Sequence, residues 1–219
     1  SHEYAICEHS LRVVRNLFAL ESQTSDALAS LARLWRDLSE TDRRVLVLAA
    51  LLHDMGKPGR QSDHSLAGAD ICRKVGKRLG LPSDQVLLAA RLVELHLEMA
   101  HRSRTLDLEQ DVTIRQFVEL VGDARTLNLL YLLTYADTKA VGLGVFGDVE
   151  RRLLDDLYAR TFAVLAEEGM AERDLQAAAR RTAERAVAEL RVPGASDDRI
   201  REHCEQMPPL YVVSTPLPI

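Results

Sequence analysis

The sequence predicts an all-α fold. Apolar residues recur three and four positions apart over most of the 219 residues, the period of helices with one buried face. Capping residues and Gly/Pro breaks bound these segments. Sustained strand-like alternation is missing, except that Leu210 to Thr215, with prolines on both sides, reads as an extended tail.

The elements follow in order. Leu11, Val14, Leu17 and Phe18 mark a first helix with His9 on its early turns, and Leu28, Leu31, Trp35 and Leu38 mark a second. Ser39 with Asp42 forms a capping-box pattern that opens a third helix, which carries the apolar run Val45 to Leu52 into His53-Asp54. Gly56 and Pro58 are expected to end it. A polar loop, 59–63, leads to a helix from His64 to about Leu79. Gly80 and Pro82 break the chain there, and Ser83 is the expected cap of a helix with Val86, Leu87, Ala90, Val93 and Leu97 on its buried side. Asp111 or Thr113 starts a short helix to Val121, and Asp123 caps a very apolar one from Leu127 to about Ala140. Further helices are expected over 148–167, 172–190 and 196–206. Gly142-Leu143-Gly144 follows a helix rather than a strand, so it reads as a loop and not a nucleotide fingerprint.

Composition narrows the function. Hydrophobic residues are 47% and charged residues 28%, the balance of a globular protein. A net charge of −5 argues against binding duplex nucleic acid, which needs a basic face. Cys7, Cys72 and Cys204 are odd in number and far apart, with no CxxC pair. Neither a disulfide framework nor a Cys-type zinc site is expected, and a reducing, cytoplasmic setting is. The apolar runs are too short to span a bilayer, so no membrane partner is expected.

His53-Asp54 carries the chemistry. Asp is seldom buried without a partner, and buried charges are paired or bind metals. His9, the His53-Asp54 pair and Asp137 fall on separate helices and form one candidate ligand set. Imidazole nitrogen and carboxylate oxygen together suit borderline or hard divalent ions such as Mn, Fe, Zn or Mg. His53 and Asp54 point about 100° apart, so both reach one ion only near the helix end, at a seam of several helices. His64 and His96 are candidates for a second ion or for the phosphate, and Lys57 for charge building on phosphoryl oxygens. Taken singly, each has a structural explanation: a hydrogen-bonded histidine, a capping Asp, a solvated Lys.

The residues around these positions resemble the HD superfamily of metal-dependent phosphohydrolases, and one group in particular. His2-Glu3-Tyr4 leading to Glu8-His9-Ser10-Leu11-Arg12-Val13 is similar to the H-x-Y-x-x-x-E-H-[ST]-x-R-V opening of the hydrolase domain of bacterial PII uridylyltransferase/uridylyl-removing enzymes. Ala49 through Lys57 resembles its A-A-L-x-H-D-I-[AG]-K, and Asp63-His64-Ser65 through Ala69 its D-H-S-x-x-G-A. Leu92 through Met99 resembles L-V-x-x-H-L-x-M, and Leu132 through Asp137 resembles L-x-T-x-A-D. Two segments depart from the group: Ser103-Arg104-Thr105-Leu106-Asp107 in place of A-Q-R-R-D, and Phe146-Gly147-Asp148-Val149-Glu150 in place of W-N-x-W-K.

The resemblance implies an HD-type helical bundle with a metal site at the helix seam. It places His9, His53, Asp54 and Asp137 on a principal ion, implied to be Mn or Mg, His64 and His96 on a second ion or the phosphate, and Asp54, His64 and Lys57 in catalysis. The implied reaction is hydrolysis of the phosphodiester joining UMP to a tyrosine of a PII-type signal protein, in nitrogen regulation. A hydrolase acting on a free nucleotide, and a catalytically silent signalling module, are the alternatives. By this reading residues 1–192 are the hydrolase domain with a helical extension, and 193–219 are a linker helix and extended tail leading toward regulatory domains.

Overall fold

A computed structural model of the chain describes residues 6–57, 64–142, 146–189 and 196–214. The expectations for His2 to Tyr4, Pro58 to Asp63, Leu143-Gly144, the break at Pro193-Gly194 and the last residues of the tail lie outside these segments. Among the described residues all regular structure is helical. The chain folds into two compact units, Ser1–Phe162 and Ala163–Ile219.

The first unit contains α1 (Ile6–Phe18), a 3-10 turn at Asp26–Leu28, α2 (Ala29–Asp37), α3 (Glu40–Leu52), α4 (His64–Arg78), α5 (Ser83–Leu95), α6 (Glu98–Thr105), α7 (Asp111–Val121), α8 (Ala124–Ala140) and the start of α9 (Asp148–Glu189). Helix α8 is the hub, because it is apolar on every face: Leu129 through Ala136 are buried without interruption. Helices α1, α3 and α5 pack against it and bring their ends together, while α4 and α5 form a hairpin beside α3. On another side of α8, Tyr131 donates to Asp155 at 2.5 Å and stacks on Tyr158 at 4.3 Å, and Tyr158 donates to Asn128 at 2.9 Å.

Helix ends follow local chemistry. Ser39 Oγ accepts from Asp42 N at 3.0 Å and donates to Asp42 Oδ2, and Arg125 at the start of α8 grips the same carboxylate. Asp123 accepts from Thr126 N at 2.8 Å. Gly80 and Gly122 adopt positive φ, 70° and 84°, closing α4 and α7.

Several expectations are corrected. Gly56 is not a left-handed helix stop, since α3 ends at Leu52 and only Gly80 and Gly122 have positive φ among the described residues. Its role is close approach: a Cβ there would lie 2.0 Å from His64 O. Ser83 is the first residue of α5 rather than a side-chain cap. The buried stripe of α1 is His9, Ser10, Val13 and Leu17, with Leu11 and Phe18 exposed, and on α5 Leu87 is exposed while Leu97 lies beyond the helix. Helix α6, which the polar sequence concealed, buries only Met99 and Ser103.

In the second unit α9 continues to Glu189, followed by α10 (Asp197–Gln206), capped by Ser196, and α11 (Pro209–Ser214). The expected break at 167–172 is absent. Ala, Glu and Arg, all good helix formers, flank Gly169, and its carbonyl accepts from Arg173 Nε at 2.9 Å. The segment read as extended is instead helical: Pro209 sits at the first helical position, which needs no N–H, and Val212 N bonds Pro208 O at 3.2 Å.

The packing predicts thiol reactivity. Cys72 on α4 is fully buried, and burial pushes its thiol up to about 11 against a smaller opposing effect of Arg73, whereas Cys7 is exposed. At pH 8 the Cys72 thiolate fraction is on the order of 0.1%. Alkylation followed by mass spectrometry should therefore modify Cys7 in the native protein and reach Cys72 only after unfolding. Equal native labelling of the two would contradict the packing of α4.

Candidate metal centre

Two helices end in the same way. His53 is the C-terminal cap of α3 and His96 that of α5. Each turns its Nδ1 onto a carbonyl three residues earlier, His53 onto Ala50 O at 2.8 Å and His96 onto Val93 O at 2.6 Å. Carbonyls in the last turn of a helix lack an intrahelical partner, so the imidazole satisfies one of them. A carbonyl only accepts, so Nδ1 carries the proton and Nε2 is left to face inward, the arrangement in which a second hydrogen bond orients a metal-ligating histidine.

Both inward nitrogens point at carboxylates. His53 Nε2 lies 3.5 Å from Asp54 Oδ2 and 3.5 Å from Asp137 Oδ1, and His96 Nε2 lies 3.7 Å from Asp54 Oδ1. These separations are longer than ordinary hydrogen bonds, and both nitrogens are buried without a hydrogen-bond partner of good geometry. From α1, His9 Nε2 comes within 2.7 Å of Asp137 Oδ1 and 3.9 Å of Asp54 Oδ2. His9, His53, Asp54 and His96 are all at most 1% exposed.

The six positions fall into two neighbouring groups. The donor atoms of His9, His53 and Asp137 lie within 4.8 Å of one another, and so do those of Asp54, His64 and His96. Asp54 stands between them, with Oδ2 toward His9 and His53 and Oδ1 toward His96. His64, the first residue of α4, is half-buried, with its ring 5.8 Å from that of His96. Lys57, at the rim, donates to Asp54 Oδ2 at 2.6 Å.

Charge explains the arrangement. Burial pushes the Asp54 carboxyl up, but the approach of His96, the charge of His53 and the Lys57 ammonium outweigh it and hold Asp54 well below the usual carboxylate range. Burial opposes ionisation of Asp137 too, and is outweighed by His53 and His9. For His53, burial disfavours the cation, but Asp137 and Asp54 raise its pKa above the ordinary value. Two ionised carboxylates thus share a buried space beside the Lys57 ammonium. A divalent ion is the other way to balance them, and the oxygen and nitrogen donors fit one.

Sequence reasoning missed the supports of this site. Asn16, two turns after His9 on α1, donates to Ala136 O at 3.0 Å and ties that helix to the residue before Asp137. An amide next to the apolar stripe was the available signal. Gly56 and Gly68 let the turn after His53 lie against α4: a Cβ on Gly68 would meet His53 O at 3.3 Å and Val93 Cγ1 at 3.1 Å.

Residues 6–137 match the family model of the HD domain, which covers more than half of the chain. The chain belongs to the HD domain family. HD domains bind divalent metals, and membership supports metal-dependent hydrolysis. Curated relatives are named bifunctional uridylyltransferase/uridylyl-removing enzymes. The chain is 37% identical to that of Nitrobacter winogradskyi over 164 residues, 75% of this chain and 18% of the relative. Identity to that of Novosphingobium aromaticivorans is 39% over 181 residues, 78% of this chain and 19% of the relative. With that of Burkholderia mallei it is 34% over 214 residues, 94% and 23% respectively. This HD chain thus spans about a fifth of the length of these relatives.

Proposed function

We propose that this chain is a metal-dependent phosphodiesterase domain that removes UMP from a uridylylated tyrosine of a PII-type signal protein, in the cytoplasm. The observation that carries this reading is the convergence of His9, the consecutive His53 and Asp54, His64, His96 and Asp137 into two adjoining donor groups, with Asp54 in one group and facing the other. Identity to uridylyl-removing relatives along most of the chain supports the substrate.

His9, His53, Asp54 and Asp137 would hold the principal ion, and His64 and His96 a second ion or the phosphate. Mn or Mg is the proposed metal. When bound, it supplies Lewis acidity toward a phosphoryl oxygen and toward water. The chain's own residues do the positioning. The Ala50 and Val93 carbonyls fix the imidazoles of His53 and His96, and Asp54 presents one oxygen to each group. Burial excludes bulk water from all but the His64, Asp137 and Lys57 side of the site, where the ester would enter. Lys57 is the cation at that rim, and in our reading it serves the phosphoryl oxygens once Asp54 is neutralised.

Incubating Mn-loaded protein with uridylylated PII beside a panel of free nucleotides tests the reading. UMP release from PII is expected; turnover of a nucleotide with PII untouched would reject the substrate. The altered segments Ser103–Asp107 and Phe146–Glu150 make the free nucleotide the second reading. For Lys57→Met we expect turnover to fall by about 100-fold, the scale for losing one oxyanion-stabilising group. Mn affinity should be unchanged or higher, since the ammonium competes for Asp54 Oδ2. Undiminished turnover by titration assay would remove Lys57 from the chemistry.

A further inference from the structure

Thr134 lies one turn before Asp137 on α8, and residues three apart share a helix face. It is 1% exposed, and its Oγ1 is buried with no hydrogen-bond partner. A threonine inside a helix ordinarily returns its hydroxyl to a carbonyl in the preceding turn. Thr161 does so to Leu157 O at 2.7 Å, and Thr105 to His101 O at 2.8 Å. Thr134 makes no such bond. An unsatisfied buried hydroxyl is unfavourable, and replacing it with an apolar group of the same shape is neutral or stabilising.

Asp137 is engaged through one oxygen, Oδ1, in its two histidine contacts. The backbone just before it is held by Asn16 on Ala136 O, so rotation of the carboxylate is the freedom that remains. We infer that Thr134 is a positioning residue: in the metal-loaded site its hydroxyl donates to the Asp137 carboxylate and fixes the rotation in which Asp137 ligates. This rests on the metal reading above. The hydroxyl is thus a group whose partner is completed by the ligand rather than by the fold.

The inference predicts opposite signs for two measurements on Thr134→Val. Without metal, its melting temperature should equal or exceed that of the wild type. Its Mn affinity by calorimetry should fall by roughly 10- to 100-fold, the usual loss on removing a group that orients a ligand. Thr134→Ser, which keeps the hydroxyl, should return to near wild-type affinity. Ser10→Ala is the control, because Ser10 is also buried and without a hydrogen-bond partner but is turned about 100° from His9 on α1; it should bind Mn like the wild type. Unchanged affinity in Thr134→Val would overturn the inference. So would a lower metal-free melting temperature, or misfolding, which would make the hydroxyl structural. An equal loss in Ser10→Ala would overturn its specificity. No Mn binding by the wild type would overturn the metal reading itself, and the inference with it.

Discussion

Asp54→Ala is expected to lose divalent-ion binding and to lower hydrolysis by more than about 100-fold, beyond what loss of a merely orienting group produces. The reason is position. Among the described residues Asp54 is the carboxylate that faces both donor groups, through Oδ2 toward His53 and His9 and through Oδ1 toward His96. Without it, His53 and His96 keep their backbone bonds to Ala50 and Val93 but face a site with half its charge. The fold should survive. Breaking a fully buried ion pair by removing one partner is destabilising by about 3–5 kcal/mol. The partner at hydrogen-bond distance is Lys57, whose side chain is 26% exposed and can turn to water, so the loss should be smaller. Asp54→Asn keeps the shape and removes the charge, and should resemble Asp54→Ala in metal content but wild type in melting temperature. Metal analysis, calorimetry and circular dichroism read all three quantities. Full activity in Asp54→Ala would overturn the assignment of Asp54 as a metal ligand.

The residues of this site were legible because their chemistry conflicts with their surroundings. Asp54 ends an apolar run and Asp137 sits in a helix otherwise buried on every face, so each asked for a partner. What the sequence concealed was choice among equivalent faces. Helix α1 offers Leu11, Val13, Val14, Leu17 and Phe18, enough for more than one stripe, and only packing against α8 and α3 selects Val13 and Leu17 beside His9. The opposite failure occurs at α6, where one helical turn separates Met99 from Ser103 and no other side chain is buried, so periodicity had little to work on. Glycine was the least readable residue. Gly169 falls in the gap expected between 167 and 172 and lies inside α9, while Gly56 looked like a cap and is a contact between backbones. Propensity describes one segment at a time, and neither answer depends on one segment.

Gly56→Ala should destabilise the protein by about 3 kcal/mol or more, the upper end for overpacking a close-packed interior. The added Cβ would lie 2.0 Å from His64 O and 2.7 Å from Gly68 N, and both are backbone atoms that no rotamer change can move. For a chain of this size such a loss lowers the melting temperature by roughly 6–12 °C. The strain falls on the first turn of α4, which carries His64, so Mn binding by the group of Asp54, His64 and His96 should weaken more than binding by the group of His9, His53 and Asp137. Gly169→Ala is the counter-case: nothing lies within 4 Å of its added Cβ, and the helix is continuous through it. That substitution should stabilise α9 by roughly 0.5–1 kcal/mol. Thermal melts of the two variants should therefore move in opposite directions. If Gly56→Ala melts with the wild type, the turn after His53 does not lie against α4, and the position of His64 relative to Asp54 has to be redrawn.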